Sequence, residues 1–421
     1  MNFIPSTETE QEDLLKEVGV SSVRDLFNDI PDSVKIDKLD VEEALTEFKV
    51  KKKLEGLAAK NKILKSFVGA GSYNHFIPSV VDHIVGRSEF YTAYTPYQPE
   101  ISQGILQAIF EYQTMICSLT GQDVTNASMY DGASAMAEAC IMACSISKKN
   151  KIVILKSVHP DYREVVKTYC SAYSIKLEEV EEVSADEKTA AVVVQNPDFF
   201  GRVTDLSKIK EYIGETLLIS GVIEPTSLFV LKEPSAADIV VGEGHSFGNG
   251  MNFGGPYLGI IATKDKFKRQ LPGRIVGQTT DTEGKRGFML TLQAREQHIR
   301  REKACSNICS NEALCALAAT VYLSYVGKSG VNLGDVCLQR AHYLYNKLLE
   351  KGFSKVFDAP FYNEFVVKLE NVRELHSQLL DKRIMAGVLL EDYYPEMKDC
   401  LLFCCTEMNS KEEIDELLGA L

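Results

Sequence analysis

Between residues 150 and 265 the chain repeats one pattern, a short β-branched run followed by a helix-periodic stretch. The runs lie at 152–158, 190–195, 217–222, 239–241 and 258–262, with periodic helices at 162–172 and 206–213. Strands that alternate with helices indicate a parallel or mostly parallel sheet covered on both faces. In such sheets ligands bind beyond the carboxyl ends of the strands. Attention therefore falls on the residues just after each run: His159, Asn196-Pro197, Glu224-Pro225, and the glycine-rich loop VGEGHSFGNGMNFGGPYLG at 241–259.

The flanks differ in character. Residues 1–64 read as a helical arm. Ser6 or Thr7 caps its first helix, with Glu10 as the capping-box partner of Thr7; Pro31 ends a second helix; Asp40 opens a long polar helix through about Lys60. So few core residues predict an arm that wraps another surface, such as another subunit. Residues 65–328 form the large α/β domain, closed by a helix of small residues from Ser306 to about Tyr325. Residues 329–421 read as a small α/β domain with helices at 335–351 and 372–380 and strands at 364–369 and 401–405. Its last helix is capped by Ser410 with Glu413 and has one apolar face of Ile414, Leu417, Leu418 and Leu421.

Bulk properties narrow the function. With 45% hydrophobic residues in 421, a large globular core is expected. The net charge of −13 repels phosphate backbones and argues against nucleic acid as a ligand. No apolar run is long enough for a bilayer, and the acidic start lacks the basic and apolar regions of a targeting peptide. The eleven cysteines show no C-x-x-C pair. Cys140 and Cys144, like Cys305 and Cys309, are four apart, as on one helix face, and read as core residues rather than metal ligands. Free thiols at this density indicate a reducing cytosol, so a cytoplasmic location is expected.

Gly69-Ala70-Gly71 lacks the context of a dinucleotide loop, and the chain has no P-loop, H-E-x-x-H or G-x-S-x-G. Three features together look like the remains of a pyridoxal phosphate site. The turn Tyr130-Asp131-Gly132-Ala133-Ser134 enters a helix of small residues, and a helix start with free N–H groups binds phosphate well. His159 follows a strand, where a flat ring stacks on a pyridine. The 241–259 loop follows a later strand, where a Schiff-base lysine would sit. Each feature also has a plain reading, as a helix cap, a strand end and a tight turn. The atoms of catalysis are then missing: the loop tip holds His245 and Ser246 in place of a lysine, and imidazole forms no stable imine. The preceding strand end offers Glu224 and no aspartate for a pyridine nitrogen.

The stretch LPGRIVGQTTDTEGKRGFMLTLQAREQHIRREKACSNICSNEAL, 271–314, closely resembles the glycine decarboxylase P-protein of the glycine cleavage system. More narrowly it is similar to subunit 1 of the two-subunit form, equivalent to the N-terminal half of the long single chain. YTAYTPYQPEISQG at 91–104, YDGASA, GEGHSFG, NFGGPYLG, and the opening FIPSTETE with the later LFNDIP extend the resemblance over essentially the whole chain. Cys305 and Cys315 depart from its pattern.

The resemblance implies a fold like that of fold type I pyridoxal phosphate transferases. It implies an α2β2 assembly with a homologous subunit 2 that carries the cofactor on its lysine, this chain being inactive alone. The complex would act as an oxidoreductase, decarboxylating glycine and passing the aminomethyl group to the lipoyl arm of H-protein, in functional sequence with T-protein and L-protein. Here Asp131, Gly132, Ala133, Ser134, His159, His245 and Ser246 would be a vestigial site. Tyr94, Thr95, Tyr97, Gln98 and Glu100, with His75, would help form the partner's site across the interface. Arg295, His298, Arg300, Arg301 and Lys303, with 298 and 301 on one helix face, form a second cluster suited to an anion or an acidic partner, or to pairing with Glu296 and Glu302. Two other readings remain: a purely structural scaffold, and a self-sufficient pyridoxal phosphate enzyme using Lys264, Lys266 or Lys285.

Overall fold

The structure, a computed structural model, describes residues 6–36, 38–309, 311–329 and 332–421. Phe3, Ile4 and Pro5 of the opening motif, and Gly330 at the expected domain boundary, lie outside these. Internal contacts divide the chain into two units, Met1–Lys62 and Ile63–Leu421.

In the first unit Thr7 caps a helix, Glu8–Val18 (α1), and the Thr7–Glu10 capping box is present. Two expectations need correction. The second helix is a 3-10 turn, Val23–Phe27, and Pro31 introduces the next turn, Asp32–Val34, rather than ending a helix. Proline's fixed φ and missing N–H suit a first turn. The polar helix starts at Glu47, not Asp40, and runs Glu47–Ala58 (α2). Glu42 pairs with Lys53. In one continuous helix those residues would stand about 16 Å apart along the axis at about 1.5 Å per residue. No described side chain of residues 6–62 is buried.

The second unit is built on a seven-stranded sheet. Its strands in chain order are β1 (Val124–Thr125), β2 (Lys151–Leu155), β3 (Lys176–Val180), β4 (Thr189–Gln195), β5 (Leu217–Val222), β6 (Ile239–Glu243) and β7 (Gly259–Thr263). Their spatial order is β1-β7-β6-β5-β4-β2-β3. β2 to β6 pair in parallel, whereas β7 runs antiparallel to both β6 and β1. Every residue of β4, β5 and β6 is buried, as runs without a polar face require.

The helix of small residues after YDG, Gly132–Ser147 (α3), packs directly on this sheet, with Ala135, Met136, Ala139, Cys140 and Ala143 buried. A Cβ on Gly132 would meet the Gly242 carbonyl carbon at 3.0 Å, so small side chains are what bring helix and sheet together. Pro160–Ala172 (α4) and Leu206–Ile213 (α5) also flank the sheet, and a separate antiparallel hairpin pairs Ile275–Thr280 with Arg286–Thr291.

The closing helix starts later than the sequence suggests, at Ala313, and runs to Ser329. Residues ahead of it spend backbone donors on side chains elsewhere: Cys309 N–H on the Tyr130 hydroxyl (3.1 Å) and Glu312 N–H on Ser128 Oγ (2.8 Å). Cys305 and Cys309 are therefore exposed on an irregular segment, not on a helix face. All eleven cysteines are free thiols. Toward the carboxyl end, helices Leu333–Glu350 and Val372–Asp381 accompany a four-stranded antiparallel sheet containing Glu364–Lys368 and Cys400–Cys404. The last helix, Lys411–Ala420, has the Ser410–Glu413 capping box. No single described helix is long and apolar enough to cross a membrane.

Candidate functional site

Beyond the carboxyl ends of β2 and β6, next to the start of α3, lies a cleft of about 470 Å³ lined by Gly71, Asp131, Ala133, His159, Glu243 and Tyr257, among others. Three of the residues singled out from sequence therefore meet there. Asp131 caps α3, accepting the Ser134 N–H at 2.7 Å. Gly132 N–H donates to Glu243 Oε2 at 2.9 Å, while Glu243 Oε1 accepts from the N–H groups of His245 and Leu258, both at 3.0 Å. The helix start that would cradle a phosphate thus already serves two carboxyl groups. Burial outweighs the three backbone donors and lifts the Glu243 carboxyl to about 7.

His159 caps α4. Its Nδ1 accepts the Asp161 N–H at 3.1 Å, which leaves the proton on Nε2 to donate to the Ala70 carbonyl at 2.8 Å. Burial lowers its pKa, in keeping with a neutral ring. Its ring meets Phe199 edge-on at 4.8 Å.

His245 is fully buried and does not line the cleft. Tyr257 stacks on it at 4.9 Å, and the Tyr73 N–H donates to its Nε2 at 3.0 Å. The lysines weighed from sequence are elsewhere. Because β7 runs antiparallel, Lys264 follows its last residue at the amino-terminal ends of the parallel strands, away from the cleft, bonded to the Gly121 and Ser235 carbonyls. Lys266 sits over the Phe267 ring, and Lys285 pairs with Glu283 at the hairpin tip. No lysine lines the cleft among the described residues. Pyridoxal phosphate does not fit these residues: its phosphate would compete with two carboxyl groups, and no amine is in reach.

Behind the cleft runs a buried charge network. Ser246 Oγ donates to Glu224 Oε2 at 3.0 Å, and Glu224 Oε1 also accepts from Thr226. His75 lies between Glu224 (3.3 Å) and Glu407 (2.8 Å). Burial alone would lower the His75 pKa; the two carboxylates overcome it and raise it to about 10. His75 is thus an internal cation, not a surface contributor to a partner. Although near the tyrosine loop in sequence, it does not line the cleft that the loop lines. The His75, Cys337 and Glu407 ligand atoms lie within 4.8 Å of one another, a grouping the His75 proton already balances.

The tyrosine loop lines a second cleft, of about 690 Å³, that shares no lining residue with the first. Tyr94, Tyr97, Gln98 and Glu100 are exposed, Thr95 is half-buried, and Pro96 pins the loop from within. Tyr94 is 83% exposed. Tyr97 is held from behind: Arg274 Nη2 donates to its hydroxyl at 3.1 Å, and the His298 ring sits 5.1 Å away.

The basic cluster does not form one helix face. The helix there spans only Gln297–Arg300, and Arg301 takes a φ of +53° that ends it. Arg295 is buried, bonding the Leu271 and Gly273 carbonyls and pairing with Glu296 at 3.2 Å. Sequence reading missed Glu243 and Tyr257. A carboxylate two residues before His245, at the same strand end, was the available signal. It missed Arg274 as well, which carries no motif of its own.

A family profile described as "Glycine cleavage system P-protein" matches residues 1–421. The chain is 50% identical over 441 residues to a Carboxydothermus hydrogenoformans protein named "Probable glycine dehydrogenase (decarboxylating) subunit 1", covering 100% of this chain and 99% of that one. It is similar to a crystal structure of "glycine decarboxylase (P-protein) of the glycine cleavage system, in inhibitor-bound form", with TM-score 0.91, 41% identity and coverage of 100% and 99%. A Lactobacillus brevis glutamate decarboxylase has a TM-score of 0.66 at 12% identity, covering 95% of each chain, which shows the fold alone.

Proposed function

The chain belongs to the glycine cleavage system P-protein family, and on that premise we propose that it serves as the subunit of a glycine decarboxylase complex that holds no cofactor itself. In this reading the partner is a homologous subunit 2 in an α2β2 assembly, which carries pyridoxal phosphate. The complex decarboxylates glycine and passes the aminomethyl group to the lipoyl arm of H-protein, with T-protein and L-protein acting downstream, and it works in the cytoplasm. Residues 1–64 act as an arm for the partner, 65–328 as the large domain and 329–421 as the small one.

The observation that carries this reading is the state of the first cleft. Its phosphate-type helix start is capped by Glu243 and Asp131, and His245, on the loop where sequence leads one to expect a lysine, is buried away from the cleft. The fold is kept and its own chemistry is not. The exposed tyrosine loop lines a different cleft, which supports reading it as a surface offered to another chain. We assign Tyr94, Thr95, Tyr97, Gln98 and Glu100 to the partner's site. Hydroxyls there, that of Tyr97 held by Arg274, orient the substrate in this reading, a contribution that positioning alone supplies.

The test is borohydride trapping on the co-purified complex, with each subunit read by mass spectrometry. Label on the partner alone is expected, and label on this chain would overturn the reading. On the same complex, Tyr94→Phe and Tyr97→Phe are expected to leave assembly intact and lower glycine decarboxylation more than about tenfold, about 1.4 kcal/mol of barrier. Unchanged turnover would leave only a scaffold role.

A further inference from the structure

Arg274 precedes the hairpin strand Ile275–Thr280 and is only 6% exposed. Among the described residues its side-chain hydrogen bonds both go to neutral oxygens: Nη1 to Asn311 Oδ1 at 3.0 Å and Nη2 to the Tyr97 hydroxyl at 3.1 Å. Glu296, which feels its charge, is drawn instead to Arg295 at 3.2 Å. Arg274 Nε–H is buried without an acceptor among the described residues, and so is the Asn311 amide nitrogen. Buried charges in folded proteins are paired or bound to a ligand, and buried donors are satisfied. Here one guanidinium donor and the neighbouring Asn311 amide have no acceptor among the described residues.

The shape of the missing acceptor follows from the guanidinium. Nε–H and Nη2–H point along one edge, the fork that takes the two oxygens of a carboxylate in parallel. On that edge the described residues offer one phenol oxygen, that of Tyr97. Tyr97 is 45% exposed, lines the 690 Å³ cleft and bonds Arg274 through its hydroxyl, so it links the guanidinium to that cleft.

We propose that Arg274, Tyr97 and Asn311 form a carboxylate-binding subsite. The incoming carboxylate takes the Nε/Nη2 edge, the Tyr97 hydroxyl turns from accepting to donating, and the Asn311 amide supplies a further donor. The carboxylate belongs either to an amino-acid substrate or to an acidic side chain of a partner subunit. The first source rests on the active-site reading above; the subsite itself does not.

The probe is acetate, titrated into the isolated full chain against chloride at constant ionic strength and followed by melting temperature and by a binding isotherm. Acetate is expected to raise the melting temperature saturably, as any ligand of the folded state does. Arg274→Lys keeps the charge but loses the fork, and is expected to abolish the saturable response. Tyr97→Phe alters an exposed side chain, so folding is preserved, and is expected to weaken acetate about fivefold, as loss of one hydrogen bond does. A wild-type chain indifferent to acetate, or a response that Arg274→Lys retains, overturns the proposal.

The complex then assigns the source. A raised KM for glycine in Arg274→Lys at unchanged kcat and assembly points to the substrate, and weakened association at unchanged KM points to the partner's side chain. If the tyrosine loop proves irrelevant to turnover while Arg274→Lys still abolishes acetate binding, the active-site reading fails and the subsite stands.

Discussion

Two carboxylates flank the His75 imidazole, Glu407 at Nδ1 and Glu224 at Nε2, and all three groups are largely withdrawn from water. The folded His75 pKa is raised to about 10, above the roughly 6.5 of a free imidazole. Its stabilising contribution is therefore fully present below pH ~6.5 and is lost as pH rises through about 10. Burial would raise Glu224 and Glu407; His75 overcomes it and holds both below the usual carboxylate range, so their contribution is lost as pH falls. His75→Gln leaves two buried carboxylates without their cation, and removing one partner of such a group costs about 3–5 kcal/mol. Urea unfolding across pH 6.5 to 10 should show the wild type losing stability with pH and His75→Gln, less stable throughout, losing much less. Parallel curves would mean that the proton on His75 does not hold this network. From sequence His75 looked like a companion of the tyrosine loop because the two are close in the chain. Its partners, 149 and 332 residues away, are visible only in the fold.

The strands that position the site were legible because they are buried on both faces and so carry unbroken β-branched runs; β5 spans the expected 217–222. The edge strand β3, sequence KLEEV, escaped notice because charge at an edge hides the β pattern while protecting it from association. The hairpin Ile275–Thr280 with Arg286–Thr291 was hidden in the same way by its polar residues. At the start of α3 the local elements make a sharper statement than the motif did. YDGASA reads equally as a phosphate cradle or as a capped helix, and only the register of β6 shows Glu243 delivering its carboxyl to the Gly132 N–H. It follows that restoring the amine alone will not restore the cofactor site. His245→Lys, with folding checked by circular dichroism, is expected to show no visible aldimine band when the isolated chain is titrated with pyridoxal phosphate. A band would mean that the helix start yields to phosphate despite Glu243 and Asp131.

At the scale of the molecule, the arm poses the remaining question. Its described residues expose Leu14, Leu26, Phe27, Phe48 and Leu54, and they bury nothing of their own. A capping box and i,i+3 or i,i+4 ion pairs support its helices locally. Such pairs contribute only about 0.2–0.5 kcal/mol each, too little to explain why so many apolar side chains are kept. Where such side chains form one patch they mark an interaction site, and the arm's role in assembly is what we propose to test. Sequence could show the arm and its poverty of core residues, but no single chain shows what such a surface covers. Deleting residues 1–62 should therefore leave the 63–421 unit folded, with near-native circular dichroism and a melting temperature within a few degrees of the full chain. Association with the partner subunit, followed by sedimentation, should weaken at least about tenfold, about 1.4 kcal/mol. Collapse of the melting transition would show instead that the arm belongs to the stability of the 63–421 unit. Undiminished association would show that its apolar side chains serve something other than assembly.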